Sequence, residues 1–478
     1  MNRRDAAASL GIVSVVLLLF SDAVFRGRVF YERDLQIDWY TQMESFARSA
    51  AAGSWPLWDN TIAFGQPLLA DPSAEILYPL TWLNLVMQPW WYYTVFVIFH
   101  ACLAGFGVYF LARRLGLSRL AGLASATIWI ASGPYVSMVN LWHHFATASW
   151  MPWVLLAADR AIGAPRLRRS LTWGAVATCQ VAAGSADVCA MTALLCLGLL
   201  AMRIRWRAWK DPSNRRLLCH AALAAVVTTL ASAAVWGPVV DIARGSSRWN
   251  FPEEMRTAWS VEKYTLPNIL LPVSDDSLRL LRLRPAAPLP EPPAPFLASL
   301  YLGLPTLGLV ALALASSKLA WRLPLMVPIG IGLLTSMGRN TPFLGFAVRL
   351  VPVLRILRYP YKAMIVVSLA WALLAGFGAD ALASGAEGSG RDGRRPRLAA
   401  LVLLAATIAL FGLTAVSPLG GMSDSDRLHA TWAFAAATVM IVLLLRGGAA
   451  GAPTVASASV VLILGDLLLA HRGQNRTA

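Results

Sequence analysis

The chain is poor in charge, and the charge it carries is mostly of one sign. Only 14% of its 478 residues are Asp, Glu, Lys or Arg while 57% are hydrophobic, too little polar surface for a soluble globular protein. Basic residues number 41 against 25 acidic ones, a formal charge of +16. That excess does not imply nucleic acid, because the positive residues sit in short loops between apolar runs, where they orient membrane spans. Lysine is scarce beside arginine, which reflects genome composition rather than partners. The five cysteines, Cys102, Cys179, Cys189, Cys196 and Cys219, form no CxxC pair, so neither a disulfide framework nor a zinc site is expected. They read as small buried hydrophobes. Met1-Asn2-Arg3-Arg4 precedes an apolar run without a small-residue cleavage pattern, which predicts an uncleaved first span rather than a signal peptide. There is no internal repeat and no soluble domain of useful size.

What is abundant is uncharged sequence. Runs such as 6–20 and 217–240 meet the roughly 20 apolar residues that a helix needs to cross a bilayer. The predicted fold class is an all-α polytopic membrane protein, one transmembrane domain over 1–478. About thirteen helices are expected, at 7–25, 91–112, 120–136, 146–160, 170–183, 186–202, 217–240, 296–316, 322–337, 362–383, 398–416, 430–446 and 453–470. Alternate loops hold the arginines: Arg113, Arg114 and Arg119; Arg160, Arg166, Arg168 and Arg169; and the strongest group from Arg203 to Arg216. By the positive-inside rule these loops and the N-terminus are cytoplasmic, and the C-terminus is outside. Three loops are then left for the outer face, 26–90, 241–295 and 338–361. The second ends in Arg284-Pro285 and Glu291-Pro292-Pro293-Ala294-Pro295, a stiff extended strap.

The first of these loops gathers carboxylates, aromatics and turn residues. Trp39, Met43, Phe46, Ala47 and Ala50 recur at helical spacing opposite Asp38, Gln42, Ser45 and Ser49, and Gly53 supplies a stop. This pattern predicts a helix lying in the membrane interface, apolar face down. Asp34 and Asp38 are the catalytic candidates, since a carboxylate can take the proton of an attacking hydroxyl. Alternatively, Asp34 caps the helix that starts near Leu35. A DxxxD pair could also hold a divalent cation, but two carboxylates make an incomplete site, and no metal or cofactor is assigned.

Gln66 and Asp71 lie in the tight turns Gly65-Gln66-Pro67 and Ala70-Asp71-Pro72 and are candidates for substrate contact. His143 and His144, in Asn140-Leu141-Trp142-His143-His144, are either substrate contacts or residues of the membrane interface. Arg339, Arg349, Arg355, Arg358 and Lys362 crowd the third outer loop, and Lys263 of the second joins them. The positive-inside rule does not explain cations there. An anionic ligand such as a lipid phosphate does, with snorkelling to ordinary headgroups as the alternative.

A first span, a long loop with an early aspartate and about a dozen spans together resemble the GT-C superfamily of membrane glycosyltransferases. More closely, the chain resembles the YfhO family of bacterial membrane proteins over residues 1–470. The matching stretches are Asp34-Leu35-Gln36, Pro56-Leu57-Trp58, Gly65-Gln66-Pro67-Leu68-Leu69-Ala70-Asp71-Pro72, Tyr78-Pro79, Trp150-Met151-Pro152-Trp153, Gly338-Arg339-Asn340-Thr341-Pro342, Arg358-Tyr359-Pro360-Tyr361-Lys362 and Gly376-Phe377-Gly378. The resemblance implies a multi-pass transferase of the bacterial cytoplasmic membrane. It would move sugar from a polyprenyl-phosphate-linked donor to a cell-envelope glycopolymer, lipid or protein on the outer face, with inversion. It also makes Asp34 the favoured base. Gly184-Ser185-Ala186-Asp187 departs from the family pattern, standing where a Gly/Pro/Gln-type turn is expected. The chain also stops at Ala478 where many relatives continue, so a partner chain supplying an extracytoplasmic domain is a further expectation. The rival reading is a lipid-linked sugar flippase, which would be expected to show inverted repeats and polar residues at mid-membrane.

Overall fold

The computed structural model describes residues 3–32, 34–61, 64–208, 210–246, 251–274, 296–316, 321–384, 394–416, 422–446, 452–471 and 474. The proline-rich strap at 284–295 lies outside them. The architecture is a multi-pass helical bundle, with one two-residue antiparallel pair, Trp58–Asp59 against Gln66–Pro67.

The count of thirteen spans is matched only in part by helix length and composition. Six among the described residues are long and apolar enough: Pro89–Arg114, Ala186–Arg203, Pro360–Ser384, Arg394–Thr414, Asp424–Arg446 and Pro453–His471. Asp5–Leu19, Arg119–Ile130, Leu304–Ala315 and Leu323–Ser336 are apolar but shorter. The expected span 296–316 loses its first half because Gly303 takes φ +94° and Pro305 opens the helix only after it. The Arg119–Ile130 helix stops early, where Gly133 donates its N–H to the Tyr301 carbonyl at 2.8 Å. The expected span 217–240 is broken: Pro212–Ala231 and Ala233–Arg244 meet at 73°. Ser232 and Thr228 both bond back to carbonyls four residues earlier, which bends helices, and Pro238 lies just beyond.

At the centre, the helix from Met364 to Ser384 packs on Arg119–Ile130, Leu304–Ala315 and Arg322–Ser336. Its glycines Gly376 and Gly378 have a packing reason. A Cβ on Gly378 would stand 1.9 Å from the Leu309 carbonyl oxygen, and one on Gly376 would stand 1.9 Å from Ser125 Oγ. Small residues there let the helix backbones approach closely.

The first-loop helix forms over Tyr40–Ala51, but its apolar face is taken by protein rather than turned to lipid. Trp39 stacks on Tyr92 at 5.7 Å, and Phe46 meets Trp82 edge-on at 5.2 Å. Gln42 and Ser45, expected on the wet side, are buried as well. The bundle end opposite this loop holds arginine pairs. Asp159 bridges Arg114 at 2.7 Å and Arg203 at 3.5 Å, and Asp5 pairs with Arg119 at 2.9 Å.

Candidate active site

Asp34 has helical torsions, φ −61° and ψ −18°, and its side chain makes no capping bond. An N-cap needs extended torsions so that its oxygen can reach back to the free N–H groups. The capping alternative therefore fails, and Asp34 is left exposed at the head of a π-helical turn, Leu35–Trp39. Single π turns recur at functional sites. Asp38 lies on the same turn. Partial burial raises its carboxyl above the usual carboxylate range, and the charges of Asp34 and Asp71 raise it further. The three carboxylates therefore form one acidic group.

Within that group Asp71 is structurally occupied. Its Oδ1 accepts from the Ser73 N–H at 2.9 Å and from Ser73 Oγ at 2.6 Å, capping the short helix Pro72–Ala74. Its Oδ2 accepts from Gln42 Nε2 at 3.2 Å. That bond explains why Gln42 is buried.

The Asp71 turn leans on the connection between the helices Leu167–Ala182 and Ala186–Arg203. Gly184 holds φ +90° there, and a Cβ on it would stand 2.2 Å from the Pro72 carbonyl oxygen and 3.3 Å from His143 Cβ. Only glycine fits both the torsion and the space. Ser185 Oγ pairs with His144 Nδ1 at 2.6 Å, and the Ser185 N–H donates to Thr147 Oγ1 at 3.0 Å. Two residues on, Asp187 forms an ion pair with Lys362. Gly184 to Asp187, the stretch that departs from the family pattern, thus links the acidic group to the cationic one.

Lys362 is 2% exposed and is flanked by the rings of Phe296 at 5.6 Å and Tyr359 at 5.1 Å. Arg358 lies over Tyr359 at 4.6 Å and Phe251 at 5.3 Å. Both cations are near enough to His144 for their charges to act on it. Arg256 joins them, its Nε buried and without a hydrogen-bond partner among the described residues.

Asp187 and Arg358 line the Lys362 end of a cavity of about 580 Å³, and Arg256 lines it too. Its walls are otherwise nearly all apolar, with Met191, Leu194, Leu325 and Leu369 among them, and Asp159 at the far end. From Asp187 to Met202 along one wall is about 22 Å at 1.5 Å per helical residue. An apolar groove of that depth with cations at one end suits an amphiphile with an anionic head.

Three expected residues are not joined to this site by any contact among the described residues. Gln66 sits in the two-residue strand opposite Asp59. Lys263 is exposed at the start of the short helix Lys263–Ile269. Arg339 pairs with Glu262 at 2.7 Å, which ties the second loop to the third. Among the described residues no group of three or more His, Cys, Asp or Glu is placed to hold a metal ion. Sequence reasoning missed Asp187 and Arg256. Both read locally as ordinary helix-end residues, and the partner of Asp187 is 175 positions away.

No family model matches the chain, and no curated protein matches it in sequence. The YfhO resemblance therefore finds no support there. Solved structures do match its fold. ArnT from Cupriavidus metallidurans, bound to undecaprenyl phosphate, aligns with a TM-score of 0.51 at 17% identity, over 98% of this chain and 77% of that one. The arabinofuranosyltransferase AftD from Mycobacteria aligns with a TM-score of 0.52 at 15% identity, over 98% of this chain but only 27% of that one. The bundle is thus similar in fold to membrane glycosyltransferases of the GT-C type.

Proposed function

We propose that the protein transfers a sugar from a polyprenyl-phosphate-linked donor to a hydroxyl of a cell-envelope acceptor, at the outer face of the bacterial cytoplasmic membrane. The observation that carries this reading is an apolar groove lined by Arg256 and Arg358, with Lys362 paired to the Asp187 of its wall. The likeness to a protein bound to undecaprenyl phosphate supports the ligand class.

In this reading the polyprenyl chain lies in the groove and the donor phosphate meets the cations. The acceptor hydroxyl approaches the acidic group and gives its proton to Asp34, the exposed carboxylate whose oxygens make no hydrogen bond among the described residues. Asp38, its repelled neighbour, is the second member of the pair. The acceptor oxygen then bonds to the anomeric carbon while the bond from that carbon to the phosphate oxygen breaks. Polyprenyl phosphate leaves with the electron pair, and one displacement inverts the anomeric centre. Arg358 and Lys362 stabilise the charge growing on the leaving phosphate, the kind of preorganised electrostatics that contributes most in a dry site. The flippase reading would need a polar path for the headgroup, and the groove's apolar walls speak against it.

Comparing envelope polymers and lipids by mass spectrometry, from cells with and without the protein, tests the proposal. Loss of one hexose-type modification with accumulation of its lipid carrier is the expected outcome. Unchanged polymers and carriers would overturn it.

A further inference from the structure

The phosphate site proposed above contains an anion of its own. Among the described residues Asp187 is the one carboxylate at this end of the groove, and it pairs with Lys362, an ammonium almost wholly withdrawn from water. Around Lys362 there are otherwise the Phe296 and Tyr359 rings and the like charge of Arg358. Neither Arg358 nor Arg256 has a carboxylate partner among the described residues. Among the described residues, three cations therefore share one fixed negative charge.

A buried ammonium without a counter-ion is strongly disfavoured, so Lys362 needs an anion in every state of the protein. A donor phosphate entering this end of the groove competes for it with Asp187. Asp187 can give way without losing all its electrostatic support, because it lies in the first turn of the Ala186–Arg203 helix, where the helix dipole favours negative charge. Its side chain is also 14% exposed, against 3% for Lys362.

We propose that Asp187 is an internal stand-in for the donor phosphate. It holds Lys362 while the groove is empty, yields it when the donor enters, and reclaims it as the product leaves. The proposal rests on the phosphate-site reading and adds a reason for the carboxylate. The donor is a phosphodiester with one negative charge, whereas the leaving phosphomonoester carries nearly two near neutral pH. Three uncompensated cations would hold the product more tightly than the substrate. A competing carboxylate loosens that hold, and product release limits turnover in many enzymes.

The test measures binding of a polyprenyl monophosphate to the full chain in lipid nanodiscs, comparing the unaltered protein with Asp187→Asn. The variant should bind about tenfold or more tightly, since its buried lysine has no other anion to take. Its transfer should also be inhibited at lower product concentration. A second measurement uses the unaltered protein alone. Carbodiimide labelling of Asp187, mapped by mass spectrometry, should rise when polyprenyl monophosphate is added, as the ion pair opens. Failure of the unaltered protein to bind polyprenyl monophosphate overturns the phosphate-site reading itself. Normal binding there, with equal or weaker binding by Asp187→Asn or labelling that does not rise, overturns the stand-in role and leaves the site intact.

Discussion

Gln42 donates from Nε2 to Asp71 Oδ2 across 3.2 Å, and this bond decides which of three clustered carboxylates is left for chemistry. With Ser73 on its other oxygen, Asp71 is held as a cap. Asp34 and Asp38 remain.

Asp34→Asn keeps the side-chain shape and removes only the ability to take a proton. We expect the variant to fold and insert normally, while transfer falls by roughly two to four orders of magnitude, the usual worth of a positioned base. Because Asp34 caps nothing, Asp34→Ala should be as stable as Asp34→Asn. Asn at 34 also removes a charge that repels Asp38, so Asp38 should titrate at lower pH. Transfer assays on purified Asp34→Asn and Asp38→Asn, side by side, check the assignment. Activity kept by the first and lost by the second would reverse it.

Arg358 and Lys362 should respond differently to truncation. Among the described residues the guanidinium of Arg358 is held by ring contacts, with no ion pair, so Arg358→Ala should cost about 1 kcal/mol of stability or less. Its KM for the lipid-linked donor should rise, with kcat falling if the contact strengthens as the phosphate leaves. Lys362→Ala strands Asp187, and breaking a buried pair costs about 3–5 kcal/mol, so this variant should melt markedly lower. Thermal unfolding in detergent with parallel kinetics separates the two effects.

Gly198 lines the groove and has nothing within 4 Å of where a Cβ would stand. Gly198→Leu fills that space with no strain, and leucine improves helix propensity by roughly 0.8 kcal/mol. The variant should be at least as stable as the parent yet use long-chain donors with a raised KM. A short-chain, water-soluble donor analogue should be used as before. Equal KM for both donors in parent and variant would remove the polyprenyl chain from the groove.

Glu75 is 5% exposed, and its Oε1 has no hydrogen-bond partner among the described residues. Burial pushes its carboxyl well above the usual carboxylate range, so the folded protein holds it protonated where the unfolded chain does not. Stability from this group is complete below the unfolded value, near 4.5, and is lost as pH rises toward the folded one. Glu75→Gln removes the ionisable group. It should flatten the fall of melting temperature with rising pH and leave the variant more stable than the parent at alkaline pH.

The chain makes its helices legible and hides their reach. Apolar runs mark each helical region, but run length overstates the spans where Gly303 or the Ser232 bend interrupts them, because those breaks depend on packing and back-bonding. The helix at Tyr40–Ala51 follows from spacing, whereas the surface it docks on does not. Periodicity identifies an apolar face and is silent on whether lipid or protein covers it. In the site, Arg358 and Lys362 were visible as cations out of place. Arg339 and Lys263 carried the same signal, yet Glu262 takes Arg339 and Lys263 stays exposed. Asp187 stood out only as part of an atypical turn, with nothing local to mark it as a partner for a cation. Its meaning lies in Lys362, brought to it by folding.

The groove's depth, about 22 Å along the Ala186–Arg203 wall, bears on which donors the proposed enzyme can tell apart. An isoprene unit extends about 5 Å, given four chain bonds of near 1.5 Å, so the walls touch roughly four units and the rest of a longer chain lies among lipids. Transfer rates should climb with chain length until the groove is full and then level off. Past that length the protein is blind to the tail, and the carrier it uses is set by whichever long isoprenoid the cell supplies.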